Sequence, residues 1–133
     1  MTPSPDKTPI TILAVEDEAS IRMLLGELLE ELGHSALTAD SGETAMTHLA
    51  TSPRVDLLIT DVRMPGMSGL DVAWLARTKR PDLPIVFITG YAPELNDTPL
   101  AHEPFTAVLT KPFTMDRLKD AIDRALGRST AQQ

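Results

Sequence analysis

The chain has no cysteine among its 133 residues. This excludes disulfides, zinc–thiolate centres and thiol nucleophiles, and it fits a cytoplasmic setting. Long hydrophobic runs are missing too: no apolar stretch approaches the roughly 18 residues that span a bilayer. Residues 1–9 carry Pro3, Pro5 and Pro9 and no apolar segment. They fail as a secretory signal and read as a disordered leader. Basic charge is short: 12 Lys and Arg face 19 Asp and Glu, for a formal net charge of −7. Such a balance disfavours nucleic acid and anionic membrane as partners and favours a bound cation. Histidine is sparse, at His34, His48 and His102 without metal-like spacing, so each reads as a surface or half-buried residue.

What is present is ordinary in amount and ordered in pattern. A hydrophobic fraction of 42% suits one globular domain with one core. Residues 10–15 form a short β-branched apolar run, which predicts a buried strand. Ile21, Leu24, Leu25, Leu28, Leu29 and Leu32 then recur at helical spacing until Gly33, with Asp17 or Ser20 as the expected N-cap. A weak strand is predicted at 35–38. A helix follows at 41–51, with Ala45, Leu49 and Ala50 inward and Ser52-Pro53 as its stop. Residues 55–60 are a strong apolar strand. The turn at 64–69 leads to a helix carried by Leu70, Ala73, Trp74 and Arg77. A fourth strand lies at 85–88 and a fifth at 107–109. Between them Pro93, Pro99 and Pro104 allow only a short or irregular helix. Met115, Leu118, Ala121, Ile122, Ala125 and Leu126 mark the last helix, closed by Gly127. The expected organisation is a leader at 1–9, one domain at 10–127 and a tail at 128–133. Five alternations of strand and helix predict an α/β fold, a doubly wound (βα)5 domain with a parallel sheet; the usual order for such a flavodoxin-like sheet is 2-1-3-4-5, an order that the family resemblance given below also implies.

Polar residues interrupt this pattern at the carboxyl ends of the strands, where open α/β sheets bind ligands. Glu16 and Asp17 follow the first strand, Asp61 the third, Thr89 ends the fourth, and Lys111 follows the fifth. In the expected order the first and third strands are neighbours, so three carboxylates converge. They stay ionised together only beside a cation. An all-oxygen site suits a hard divalent ion, and Mg2+ accepts few protein ligands while keeping waters for a phosphate to replace. Three negative charges, one Mg2+ and Lys111 sum to zero. A phosphoryl group entering there meets metal, ammonium and the Thr89 hydroxyl, and a carboxylate can serve as nucleophile. Taken singly, each feature has a plainer reading: a solvated loop, a helix cap, a turn aspartate or a Lys-Pro turn. Four suitable residue types at four strand ends are far more specific than any one.

Four segments carry a family resemblance. They are 12–18 around Glu16-Asp17-Glu18, 58–69 around Thr60-Asp61-Val62-Arg63-Met64-Pro65-Gly66, 86–92 around Ile88-Thr89-Gly90-Tyr91, and 109–113, Leu109-Thr110-Lys111-Pro112-Phe113. In order and spacing the chain resembles a receiver domain of bacterial two-component response regulators over about residues 10–127. The resemblance implies a phosphorelay role. Asp61 is then the phosphoacceptor. Asp17 binds Mg2+ directly, Glu16 directly or through water, and the Arg63 backbone carbonyl is a further ligand. Thr89 bonds the phosphoryl group, Lys111 pairs with it, and the Lys111–Pro112 peptide is cis. The implied donor is a phosphohistidine on a histidine kinase or histidine phosphotransfer protein, with a downstream protein target contacted through the fourth helix, fifth strand and last helix. The domain catalyses its own phosphorylation and dephosphorylation and is otherwise no enzyme. A homodimer is open to such a domain. The Gly90-Tyr91-Ala92 wording is similar to receivers attached to hybrid kinases. One departure stands out: Val108 occupies a position that is aromatic in many receivers, which leaves the threonine without its usual mobile partner. Tyr91 is then either a substitute or a rim residue, and Arg63 and Tyr91 are expected to tune the lifetime of the phosphoryl group.

Rival readings fare worse on particular residues. A phosphatase using an aspartyl phosphate needs a general acid two positions after the nucleophile, where Arg63 stands. A nucleotide-binding domain needs a glycine-rich loop after the first strand, where Glu16-Asp17-Glu18 stands. No DNA-reading motif fits the residues after the last helix. A non-phosphorylated interaction module, or a phosphate sink that contacts no target, remains compatible with the sequence.

Overall fold

A computed structural model describes residues 9–52, 54–90, 95 and 98–127. Its strands are β1 Thr11–Val15, β2 Ser35–Ala39, β3 Leu57–Asp61, β4 Ile85–Thr89 and β5 Thr106–Thr110. Its α-helices are α1 Ala19–Glu31, α2 Gly42–Thr51, α3 Gly69–Lys79 and α4 Met115–Ala125. The five strands form one sheet in the order β2-β1-β3-β4-β5, parallel at every pairing. The expected doubly wound, flavodoxin-like order is therefore the observed one. Two apolar layers fill the two faces. One joins Ile12, Ala14 and Ile59 to Leu25 and Leu29 of α1 and Leu118 and Ile122 of α4. The other joins Leu13, Val15, Leu58 and Phe87 to Ala45 of α2 and Val72 and Ala76 of α3. Strands β3 and β4 are buried at every residue, which is why they read as unbroken apolar runs rather than alternating ones.

Local signals explain several boundaries. Ser41 accepts from the Thr44 backbone N–H and caps α2. Ser68 and Asp71 form a reciprocal capping box at the start of α3, where such a box satisfies two otherwise orphaned donors. Gly127 takes φ +77 just beyond α4, the left-handed turn that glycine allows without strain.

Some expectations need correcting. Neither Asp17 nor Ser20 caps α1: Glu18 is the N-cap residue, and its own side chain makes no capping bond. Asp17 lies one position too early, and its carboxylate belongs to the acidic cluster described below. Ala50 does not face inward, and Trp74, one of the residues that marked the third helix, lies outward. Trp74 is 61% exposed, because α3 sits on the sheet through its smaller residues Gly69, Val72, Ala73 and Ala76. Ala50 is exposed, while Ala45 is buried and Leu49 half-buried. Between β4 and β5 the described residues contain a 3-10 turn, Pro99–His102, and no α-helix, in keeping with the prolines there. The leader (residues 1–8 of it), Tyr91 and the tail lie outside the described residues.

Candidate functional site

Strand β1 ends at Val15 and delivers Glu16 and Asp17 to the carboxyl edge of the sheet. The Glu16 N–H donates to the Ala39 carbonyl at 3.0 Å, so Glu16 stays on the line of the strand and its side chain is fully buried. One carboxylate oxygen, Oε2, accepts from the Glu18 backbone N–H at 3.0 Å. The other, Oε1, has no aligned hydrogen-bond donor, although the Lys111 ammonium approaches it to 3.2 Å. Asp61 is the last residue of β3, in register with Ile88, rather than a residue of the loop beyond. It is 6% exposed. Asp17 is exposed at the mouth. Glu16, Asp17 and Asp61 each bring a carboxylate oxygen within 4.8 Å of the others.

Lys111 reaches in from the end of β5 and donates to Asp61 Oδ2 at 3.1 Å. Its backbone N–H donates to the Thr89 carbonyl at 2.8 Å, which ties the β4 and β5 ends together. The peptide that follows, Lys111–Pro112, is cis. Thr89 is buried at the end of β4, across from Thr110. Arg63 is exposed in the loop after β3. Val108 is half-buried and packs on the apolar layer beneath α3, so it occupies its place as a core aliphatic.

The electrostatics follow from this crowding. Burial pushes the Glu16 carboxyl up from 4.5 to about 7; the Glu18 N–H opposes the rise, the Asp61 charge adds to it, and Lys111 opposes it. For Lys111, burial pulls downward, but the hydrogen bond and charge of Asp61, with Glu16 behind them, win and hold the ammonium above its ordinary value. A cluster of three carboxylates and one ammonium therefore carries an uncompensated negative charge and a buried, undonated oxygen. Both are what an oxygen-liganded divalent cation would correct. The donor set is all oxygen, as Mg2+ requires.

Three contributors escaped the sequence reading. Gly69 read only as a turn residue, yet a Cβ there would lie 1.9 Å from the Asp61 carbonyl oxygen; its N–H donates to the Val62 carbonyl at 2.9 Å. Thr60 is buried and donates its hydroxyl to the Asp61 carbonyl at 3.0 Å. Arg22 sits one turn into α1 and bonds the backbone of the acidic loop. Only Gly69 left a sequence signal, as a glycine at the start of a helix rather than after its end.

The sequence matches the family model described as the response regulator receiver domain over residues 12–123. It is 39% identical over 117 residues to the response regulator receiver protein CpdR of Brucella abortus, covering 86% of this chain and 95% of that protein. It is 36% identical over 118 residues to the response regulator protein FleR of Pseudomonas aeruginosa, covering 88% of this chain and 25% of that protein. The chain thus spans about a quarter of the length of FleR and of GlrR of Escherichia coli. Among solved structures, the response regulator TrrA of Thermotoga maritima in complex with Mg2+–BeF superposes with a TM-score of 0.78 at 36% identity, covering 87% of this chain and 98% of that one. The chemotaxis protein CheY4 of Vibrio cholerae gives a TM-score of 0.80 at 30% identity, covering 89% and 99%.

Proposed function

Because the chain belongs to the response regulator receiver family, we propose that Asp61 accepts a phosphoryl group from a phosphohistidine in a Mg2+-dependent step. The observation that carries this reading is the pairing of a nearly buried Asp61 carboxylate with the Lys111 ammonium at 3.1 Å, on the rim of a three-carboxylate cluster. An Asp61 carboxylate oxygen attacks phosphorus, the P–N bond to the imidazole breaks, and the imidazole leaves with its electron pair and takes up a proton. The product is an aspartyl phosphate. Lys111 shifts from the carboxylate to the incoming phosphoryl oxygens, and the Thr89 hydroxyl donates to one of them. Glu16, Asp17, Asp61 and the Arg63 carbonyl would hold the Mg2+, which supplies positive charge to the transferring group. Water attack on the same phosphorus reverses the modification, and in this reading Arg63 and Tyr91 tune that rate.

The working unit of this reading is residues 10–127, acting in the cytoplasm. A histidine kinase or phosphotransfer protein donates, and a protein target receives the signal. In this reading the donor docks at a recess of about 350 Å³ beside the site, lined by Ile21, Leu24, Lys111, Pro112 and Phe113. The test is the intact mass after incubation with Mg2+ and acetyl phosphate, for wild type and Asp61→Asn. One phosphoryl addition that requires Mg2+ and is lost in the variant is the expected result. No addition from acetyl phosphate, nor from a phosphorylated histidine donor, overturns the reading and leaves an interaction module.

A further inference from the structure

Arg22 is out of place as a helix residue. It lies in the first turns of α1, where the helix dipole disfavours a cation, and no acidic residue in that turn offsets it. Its guanidinium turns back along the helix, as helical side chains do. There Nη1 donates to the Glu16 carbonyl at 2.9 Å and, more weakly, to the Asp17 carbonyl at 3.4 Å. Half-buried, it holds the two residues whose carboxylates form one side of the acidic cluster.

The bonds around Glu16 show what this contact completes. Its N–H is held by Ala39, its Oε2 by the Glu18 N–H, and its carbonyl by Arg22. Only Oε1 is left without an aligned donor, and it faces the cluster. The carbonyls of both acidic residues are turned toward α1, which leaves their side chains to point at Asp61. We propose that Arg22 is a positioning residue for the divalent-cation site: by bonding the Glu16 and Asp17 carbonyls it fixes the peptide planes that aim both carboxylates. This rests on the reading that the cluster binds Mg2+.

The alternative, a purely Coulombic role, has the opposite sign. A guanidinium near the site repels Mg2+, so its removal by itself would tighten binding. The experiment is a calorimetric titration of Mg2+ into wild type, Arg22→Gln and Arg22→Lys at 25 °C, with circular dichroism confirming that each is folded at that temperature. Arg22→Gln is expected to weaken Mg2+ binding about tenfold, the low end for groups that orient metal ligands. Arg22→Lys keeps the charge and one donor and is expected to fall between the two. A dissociation constant in Arg22→Gln equal to or tighter than wild type overturns the assignment, as does Arg22→Lys binding no better than Arg22→Gln. Should Arg22→Gln not fold, Arg22→Lys decides alone, since wild-type affinity there would show that the two-carbonyl geometry is not needed and overturn the assignment. Absence of Mg2+ binding by wild type would instead strike at the proposed function, so the two failures are distinguishable.

Discussion

Loading the cluster with Mg2+ should expel a proton, and the structure sets how much. Glu16 is fully buried beside Asp61, and its carboxyl is raised to about 7. The cation binds the ionised form, so protons and Mg2+ compete for this one side chain. With a midpoint near 7, about nine-tenths of Glu16 is ionised at pH 8, half at pH 7 and about a tenth at pH 6. The apparent Mg2+ affinity should then fall about tenfold between pH 8 and pH 6 from this group alone. Lys111 does not blur the comparison, because its ammonium is held above its ordinary value and stays charged across that range. At pH 7 about half a proton should leave per ion bound. Calorimetric titration with MgCl2 in buffers of different ionisation enthalpy measures both quantities. Equal affinities at pH 6 and pH 8, with no buffer dependence at pH 7, would refute the account of Glu16 as a buried, cation-starved carboxylate.

Other outcomes follow from the same geometry. In EDTA, the Glu16 carboxyl stabilises the fold fully below its ordinary value of 4.5, and that contribution is lost as pH rises through about 7; Glu16→Gln should therefore gain on wild type over this interval, by up to about 3–4 kcal/mol at about 1.4 kcal/mol per pH unit, and chemical denaturation curves that run parallel in pH would contradict it. Gly69→Ala forces a methyl into the Asp61 carbonyl, so it should cost about 1–3 kcal/mol in urea unfolding and slow acetyl-phosphate labelling. Leu24 is 44% exposed on the recess beside Lys111; Leu24→Glu should leave labelling by acetyl phosphate intact and reduce transfer from a histidine donor, and an equal loss with both would remove the recess from the donor's path. Thr89→Ala removes the hydroxyl assigned to the phosphoryl group, so labelling should slow in single-turnover mass measurements while Mg2+ affinity stays unchanged.

Much of the architecture was legible because the central strands β3 and β4 are buried at every residue. Strands of that kind must be apolar throughout, so the acid, threonine and lysine residues at their ends stand out against them, as Asp61 does after Leu57-Leu58-Ile59-Thr60. Helix α4 was equally plain, with its apolar stripe and terminal Gly127. The α3 face was not. Its buried contacts are made by glycine, valine and alanine, so the large Trp74 drew attention that belonged to its smaller neighbours. The cap of α1 was missed for a related reason: Asp17 is a good capping residue by type, but its side chain is engaged by the acidic cluster instead.

The residue types alone settled the order of elements, the strand ends that carry chemistry and the oxygen character of the site, since those depend on apolar periodicity and on which side chains ionise. Tertiary structure alone decided how the groups act on one another. Glu16 is an ordinary carboxylate by sequence; its carboxyl is pushed up because the end of β1 lies buried between β2 and β3, and the Asp61 charge adds to that rise while Lys111 opposes it. Gly69 beneath Asp61 and Arg22 behind Glu16 belong to the same class. Their roles depend on distances between segments far apart in the chain, and periodicity carries no information about such distances.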